Sequence, residues 1–135
     1  KIYIDDYAHH PTELEAFLKG VRMLYPNKRI TAVFQPHLFS RTRDFAQGFG
    51  EALSLADEVL LMNIYPAREE PMKGVTSQLI LDAITHTNKA IISDEELLAK
   101  VMALQPEVLV SVGAGNIDKW VQPFKKVMEG LAIGS

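Results

Sequence analysis

Apolar residues along this chain come in two alternating patterns. Five short runs, at residues 2–4, 30–34, 59–64, 90–92 and 108–112, are rich in β-branched and aliphatic side chains with little polar alternation. Such runs predict strands buried on both faces, as in a parallel sheet. Between them the apolar positions follow a 3.6-residue period. Leu14, Phe17, Leu18, Val21 and Leu24 form the first stripe, stopped by Pro26-Asn27, and Phe45, Phe49, Ala52, Leu53 and Ala56 form the second. Leu79, Ile80, Ala83 and Ile84 make a third, Leu97, Leu98 and Val101 a fourth, and Trp120, Val121, Phe124, Val127 and Met128 a fifth. Thr12 with Glu15 and Ser93 with Glu96 have capping-box spacing, and Ser40 or Thr42 is available to cap the second helix. Strand and helix alternate throughout, so the predicted architecture is α/β: a Rossmann-like open, mostly parallel sheet with helices on both faces. Residues 65–75, "YPAREEPMKGV", break both periods and read as a long surface loop, a place where function often sits.

Composition narrows the class. At 135 residues the chain can bury one core without a staple, and we expect one domain over residues 1–133 with Gly134-Ser135 as a tail. A net charge of −3 gives no electrostatic footprint for nucleic acid or anionic lipid, so neither partner is expected. There is no cysteine, no leader pattern and no apolar run near the ~18 residues of a membrane span. A cytoplasmic domain is the expectation. The chain opens with Lys1 directly before a strand, which suggests a piece of a longer protein.

In open α/β sheets ligands bind beyond the carboxyl ends of the strands. Asp5, Asp6, Tyr7, His9 and His10 follow the first run, "FQPHLFSRT" covers the end of the second, and "GAGN" follows the fifth. Three of the four histidines therefore fall on one edge of the sheet, while His86 reads as a solvated residue near a helix end. The acids could bind a ligand or simply accept turn amides, which aspartate commonly does. His37 and Arg41 are four residues apart and could share a crevice or lie on a surface helix. Adjacent His9 and His10 diverge in extended chain, and no ligand pair has helical spacing, so no metal site is expected. "GAGN" lacks the third glycine of a dinucleotide fingerprint, with Asp118 in its place, and reads as a tight turn. A phosphoacceptor receiver domain would need an aspartate after the third strand and a lysine after the fifth. Asn63-Ile64-Tyr65 and Gly113-Ala114-Gly115 stand there instead.

Three motifs in this order, "DDYAHHPTE", "FQPHLFSRT" and "GAGNI", resemble the C-terminal domain of the Mur ligases over essentially the whole chain, and "IYPAREEP" resembles a loop of that family. The resemblance implies one closing domain of a three-domain ATP-dependent ligase, working with N-terminal and central domains of the same chain. The branch it is most similar to joins L-alanine to UDP-N-acetylmuramate through an acyl phosphate in peptidoglycan precursor synthesis. The branch that recycles murein tripeptide, or a free-standing nucleotide-binding module, is the alternative. By resemblance, ATP and Mg2+ are held mainly by the central domain, Asp6 meets the ATP ribose, Tyr7 and His9 face the reacting centre, and His37 and Arg41 hold the amino acid. The chain has no G-x-x-G-K-[ST] stretch of its own, so the isolated domain is expected to be inactive. Leu38 stands where the family often has a basic residue, and Ala8 where glycine would serve equally.

Overall fold

The computed structural model describes residues 1–134, with side chains as far as Gly130. In chain order the elements are β1 (Ile2–Asp6), α1 (Pro11–Leu24), β2 (Ile30–Gln35), α2 (Phe39–Leu53), β3 (Glu58–Leu61), α3 (Gln78–Ala83), β4 (Lys89–Ile91), α4 (Asp94–Leu104), β5 (Val108–Gly113) and α5 (Val121–Gly134), with a 3-10 turn, Asn116–Trp120, leading into α5. All four strand pairings are parallel, in the order β1-β5-β2-β3-β4. The expected open α/β architecture is therefore present, without an antiparallel strand among the described residues. Gly134 ends α5, and Ser135 lies outside the described residues.

Strand pleating sorts the core into two layers. From β2 and β5, Ile30, Ala32, Phe34, Val108, Val110 and Val112 join Leu14, Leu18, Phe49, Leu53 and Ile80 on the face covered by α1, α2 and α3. Val33 and Leu109 point the other way, to Leu97, Val101, Phe124 and Met128 of α4 and α5. Successive residues of a strand face opposite sides, so an unbroken apolar run serves both layers. The third run ends sooner than its hydrophobicity suggests. β3 stops at Leu61 because β4 has only three residues and β2 is followed by Pro36, which has no amide to donate. Met62 remains fully buried beyond the strand and its carbonyl accepts the Ser77 hydroxyl at 2.6 Å.

Helix ends differ most from expectation. The cap of α1 is His10, whose Nδ1 accepts the Thr12 amide at 3.4 Å, with Pro11 in the first helical position. Proline is favoured there because its missing N–H has no intrahelical partner to lose, and this moves the cap two residues ahead of the Thr12 box. Glu13, not Glu15, reaches back, to the His9 amide at 3.3 Å. Ser93 occupies the cap position of α4 but makes no side-chain cap bond, and neither Ser40 nor Thr42 caps α2. His86 is half-buried rather than solvated. Its Nε2 donates to the Ala56 carbonyl at 2.8 Å while Nδ1 accepts the Asn88 amide at 3.2 Å, fixing one neutral tautomer. At the end of α3, Lys89 Nζ donates to the Leu81 and Ile84 carbonyls, where a cation complements the helix dipole.

Opposite the carboxyl edge, Asp57 gathers the chain. Its Oδ2 accepts both the Ile30 amide and Arg22 Nη2, each at 2.8 Å, and Arg22 also donates to the Lys28 and Leu55 carbonyls. Burial raises the carboxyl's pKa, but the Arg22 and Ile30 hydrogen bonds and the nearby positive charge outweigh it, leaving Asp57 below its usual 3.8. A depressed acid contributes stability that is present above the unfolded value and is lost as pH falls through the folded one. Asp57→Asn should therefore lower the melting temperature at pH 7, modestly because the pair is partly solvated. In paired melts from pH 7 to pH 2 the gap between variant and parent should close below about pH 3.8. A gap that persists at pH 2 would assign the loss to packing instead of charge.

Candidate functional site

The topology makes a crevice at the carboxyl edge. The loops leaving β1 and β2 turn to the α1 and α2 face, whereas the loop leaving β5, which lies between them, turns to the opposite face toward α5. Divergent neighbouring loops leave a gap beyond the strand ends, the usual ligand position in open sheets.

The first wall follows β1. Asp6, the last strand residue, accepts the Ala8 amide on Oδ2 at 3.0 Å, so the turn-satisfying role is realised and Oδ1 is left over. Ala8 is buried beneath this turn. Tyr7 is 61% exposed. His9 Nδ1 donates to the Tyr7 carbonyl at 3.0 Å, which commits that nitrogen to the turn. His10 is committed to structure, since it caps α1 and its ring packs on Phe45 with centroids 4.9 Å apart. Asp5 is exposed; its charge, after burial, helps raise the Tyr3 phenol to about 12.

The second wall follows β2. Gln35 is 5% exposed, and its Oε1 accepts the Ile117 amide at 2.9 Å. One side chain thereby ties β2 to the turn after β5; cutting such a buried bond costs about 1–3 kcal/mol. Leu38, with φ 73° and ψ 135°, lies in a region that L-residues rarely enter, at a cost of order 1–3 kcal/mol. Pairing with the long loop holds it there: Leu38 N donates to Tyr65 O and Tyr65 N to Pro36 O, both at 2.8 Å. This turn brings His37 and Arg41 into contact, with Arg41 Nη1 donating to His37 Nδ1 at 3.1 Å. Arginine has no acceptor, so His37 is neutral with its proton on Nε2. Burial, then Arg41, then His9 lower the imidazole's pKa from 6.5, partly offset by Glu69. The Tyr65 ring stacks on His37 at 5.7 Å and 17°.

The third wall is the glycine turn after β5. A Cβ on Gly113, at φ 142°, would stand 2.7 Å from the Gln35 carbonyl, and one on Gly115 would stand 2.8 Å from Tyr65 Cγ. "GAGN" is thus a tight turn, as its sequence suggests, with both glycines required by the close approach of the second wall and its loop. An open cleft of about 270 Å³ continues from here between Gln35, Asn63, Tyr65, Asn116 and the start of α4.

His37 and Arg41 are therefore paired, His9 lies within their electrostatic reach, and Asp6 and Tyr7 line the neighbouring turn. Gln35, Tyr65 and Glu69 escaped the sequence reading of individual residues. Gln35, Tyr65 and Glu69 all lie inside the motifs quoted above, but no spacing rule announces a contact across 28 or more residues.

A parallel open sheet with polar side chains converging at its switch point defines a Rossmann-like ligand-binding domain. The family model described as "Mur ligase, glutamate ligase domain" matches residues 1–115, and the chain belongs to the Mur ligase C-terminal domain family. It is 56% identical over 128 residues to the UDP-N-acetylmuramate–L-alanine ligase of Cytophaga hutchinsonii, covering 95% of this chain and 28% of the relative. With the corresponding ligase of Flavobacterium johnsoniae it shares 57% identity over 127 residues, 94% of this chain and 28% of that one. The crystal structure of UDP-N-acetylmuramate-alanine ligase from Thermotoga maritima superposes with a TM-score of 0.67 at 27% identity, over 92% of this chain and 26% of the other. The chain thus spans somewhat over a quarter of the length of these relatives.

The Arg41 contact makes a titration prediction. In histidine-labelled protein followed by NMR, His37 should show the Nε2–H tautomer and titrate below 6.5. Arg41→Ala should move that midpoint upward, because a cation that opposes protonation is removed. A midpoint unmoved by the substitution would mean that the two side chains do not meet in solution.

Proposed function

We propose that this domain is the amino-acid-holding part of a longer ATP-dependent ligase that joins L-alanine to UDP-N-acetylmuramate, acting in the cytoplasm in peptidoglycan precursor synthesis. The carrying observation is the Arg41–His37 pair at the switch point, an oriented guanidinium at the crevice beside a neutral imidazole. Relatives at 56% and 57% identity that bear the alanine ligase name support this branch over tripeptide recycling.

L-alanine offers a methyl, an amine that must stay free to attack, and a carboxylate. The carboxylate is its one strong handle, and a guanidinium can take both oxygens at once. Arg41 would hold it there, with His37 keeping the guanidinium in place and offering its own Nε2–H. The substrate's amine is the nucleophile toward the acyl phosphate, so the domain's contribution is positioning and charge complementarity. Tyr7 and His9 stand on the adjoining turn, where the phenol and His9 Nε2 can meet polar groups of the reacting substrates.

The cofactor groups fit this domain only in part. Asp6 Oδ1 can accept from a ribose hydroxyl while Oδ2 retains the Ala8 amide. Among the described residues no group of three or more His, Asp or Glu side chains could hold a metal ion. In this reading Mg2+ and the triphosphate are held mainly by the central domain of the full-length protein, and no step here runs through them. Among the described residues no helix is long and apolar enough to cross a membrane.

Removing one partner of a charge-assisted pair in a closed site costs roughly 2–5 kcal/mol. Arg41→Ala in the full-length protein should lower kcat/KM for L-alanine by at least about thirtyfold, with Arg41→Lys recovering only part. KM for ATP and the melting temperature should hardly change. Unaltered alanine kinetics would remove Arg41, and with it this reading of the site. Asp6→Asn should instead weaken ATP more than L-alanine, by about 1.5–3 kcal/mol for a charged acceptor. Equal weakening of both substrates would leave Asp6 as a turn residue alone.

A further inference from the structure

Helix α2 carries Arg41 in its first turn, yet the residue at its cap position cannot cap it. Leu38 has no side-chain oxygen, and its positive φ is an unfavourable way to start a helix. The missing acceptor comes from elsewhere in the chain. Glu69, in the loop after β3, accepts the Ser40 amide on Oε1 at 3.1 Å and the Ser40 hydroxyl on Oε2 at 2.5 Å. A carboxylate at this end of a helix also meets the positive end of the dipole. These Ser40 bonds, hydroxyl first and amide second, hold Glu69 below the usual carboxylate range despite some desolvation, with smaller help from the Phe39 amide and Arg43.

The same loop is fixed at its other end. Tyr65 exchanges backbone bonds with Pro36 and Leu38 and stacks on His37, and Pro66 O accepts the Glu69 amide at 2.9 Å to close a turn between the two anchors. The residues immediately before α2 and its first turn are thus clasped by two points of a single five-residue span, one on each side of Leu38. Glu69 touches neither Arg41 nor His37 by hydrogen bond. It fixes the backbone from which Arg41 projects, and its charge partly offsets the effects of burial, Arg41 and His9 on His37.

We propose that Glu69 is a positioning residue, a cap supplied to α2 by the loop after β3 that sets the aim of the Arg41–His37 pair. For its effect on alanine the inference rests on the function proposed above; the capping arrangement stands without it. In the full-length protein, Glu69→Ala should raise KM for L-alanine about tenfold or more, leave KM for ATP unchanged, and alter kcat less than threefold. Glu69→Gln keeps one acceptor and should fall between. Ser40→Ala removes the hydroxyl bond but keeps the Ser40 amide on Glu69, so its effect should be smaller than that of Glu69→Ala, and the double variant should be no worse than Glu69→Ala alone. A second readout does not depend on the substrate. By NMR of histidine-labelled full-length protein, Glu69→Ala should lower the His37 midpoint further, the opposite direction to Arg41→Ala. If the His37 midpoint moves and the Ser40 and Glu69 effects on melting temperature are non-additive while alanine kinetics stay flat in every variant including Arg41→Ala, the capping role stands and the alanine assignment fails. If Arg41→Ala impairs alanine use but Glu69→Ala and Glu69→Gln change neither KM for L-alanine nor the His37 midpoint, the positioning role is overturned.

Discussion

β5 lies between β1 and β2, and everything at the carboxyl edge depends on how the chain reaches that slot. From β1 to β4 the chain moves outward along the sheet, packing α1, α2 and α3 on one face. To return to the gap beside β1 with a right-handed crossover, it travels over the other face, which puts α4 there, and α5, after β5, packs on the same face. The glycine turn after β5 therefore departs in the opposite direction from the turns on either side. The crevice is a by-product of connection handedness, and the chemistry has been placed where the backbone leaves room.

Room alone would not orient anything. The two turns beside the crevice are held by opposite strategies, one local and one long-range. After β1, nearly every bond spans two to four residues: Asp6 to Ala8, His9 to Tyr7, Glu13 to His9, and His10 to Thr12. After β2, the constraints come from across the sheet, through Gln35 to Ile117 and through Tyr65 and Glu69 to the start of α2. The first turn can form as soon as α1 does. The second needs β3 and its loop in place for Leu38 to be kept at an otherwise unfavourable φ.

That difference explains what could be read from the residues alone. The strand runs, the amphipathic stripes and the glycine turn follow from periodicity and local steric need and stand close to where the sequence puts them, except that the third strand ends at Leu61 and Leu24, Phe45 and Leu79 of the stripes are exposed. The cap of α1 lies two residues ahead of Thr12, at His10, because Pro11 takes the first helical position, a local effect that spacing rules overlook. The failures at α2 are of another kind. Ser40 and Thr42 both looked like caps, but Ser40 is already bonded to Glu69 and Thr42 turns its hydroxyl back to the Leu38 carbonyl at 2.9 Å. His86 likewise looked solvated because its partner, Ala56, is 30 residues away. Contacts of high sequence separation leave no periodic trace in one sequence.

The two-point clasp on the residues around Leu38 also fixes a length. Tyr65 and Glu69 must reach Leu38 and Ser40 at the same time, and the span between them contains one hydrogen-bonded turn and a left-handed Ala67. An added or deleted residue inside that span would pull one anchor off its partner. Beyond Glu69 the loop is mostly exposed, with Gly74 at positive φ and in open space. The segment is thus divided into a ruler and a spare length. Insertions belong after Glu70, and an engineer seeking a place to attach a tag or a probe beside this crevice has one there that leaves the alignment of α2 untouched.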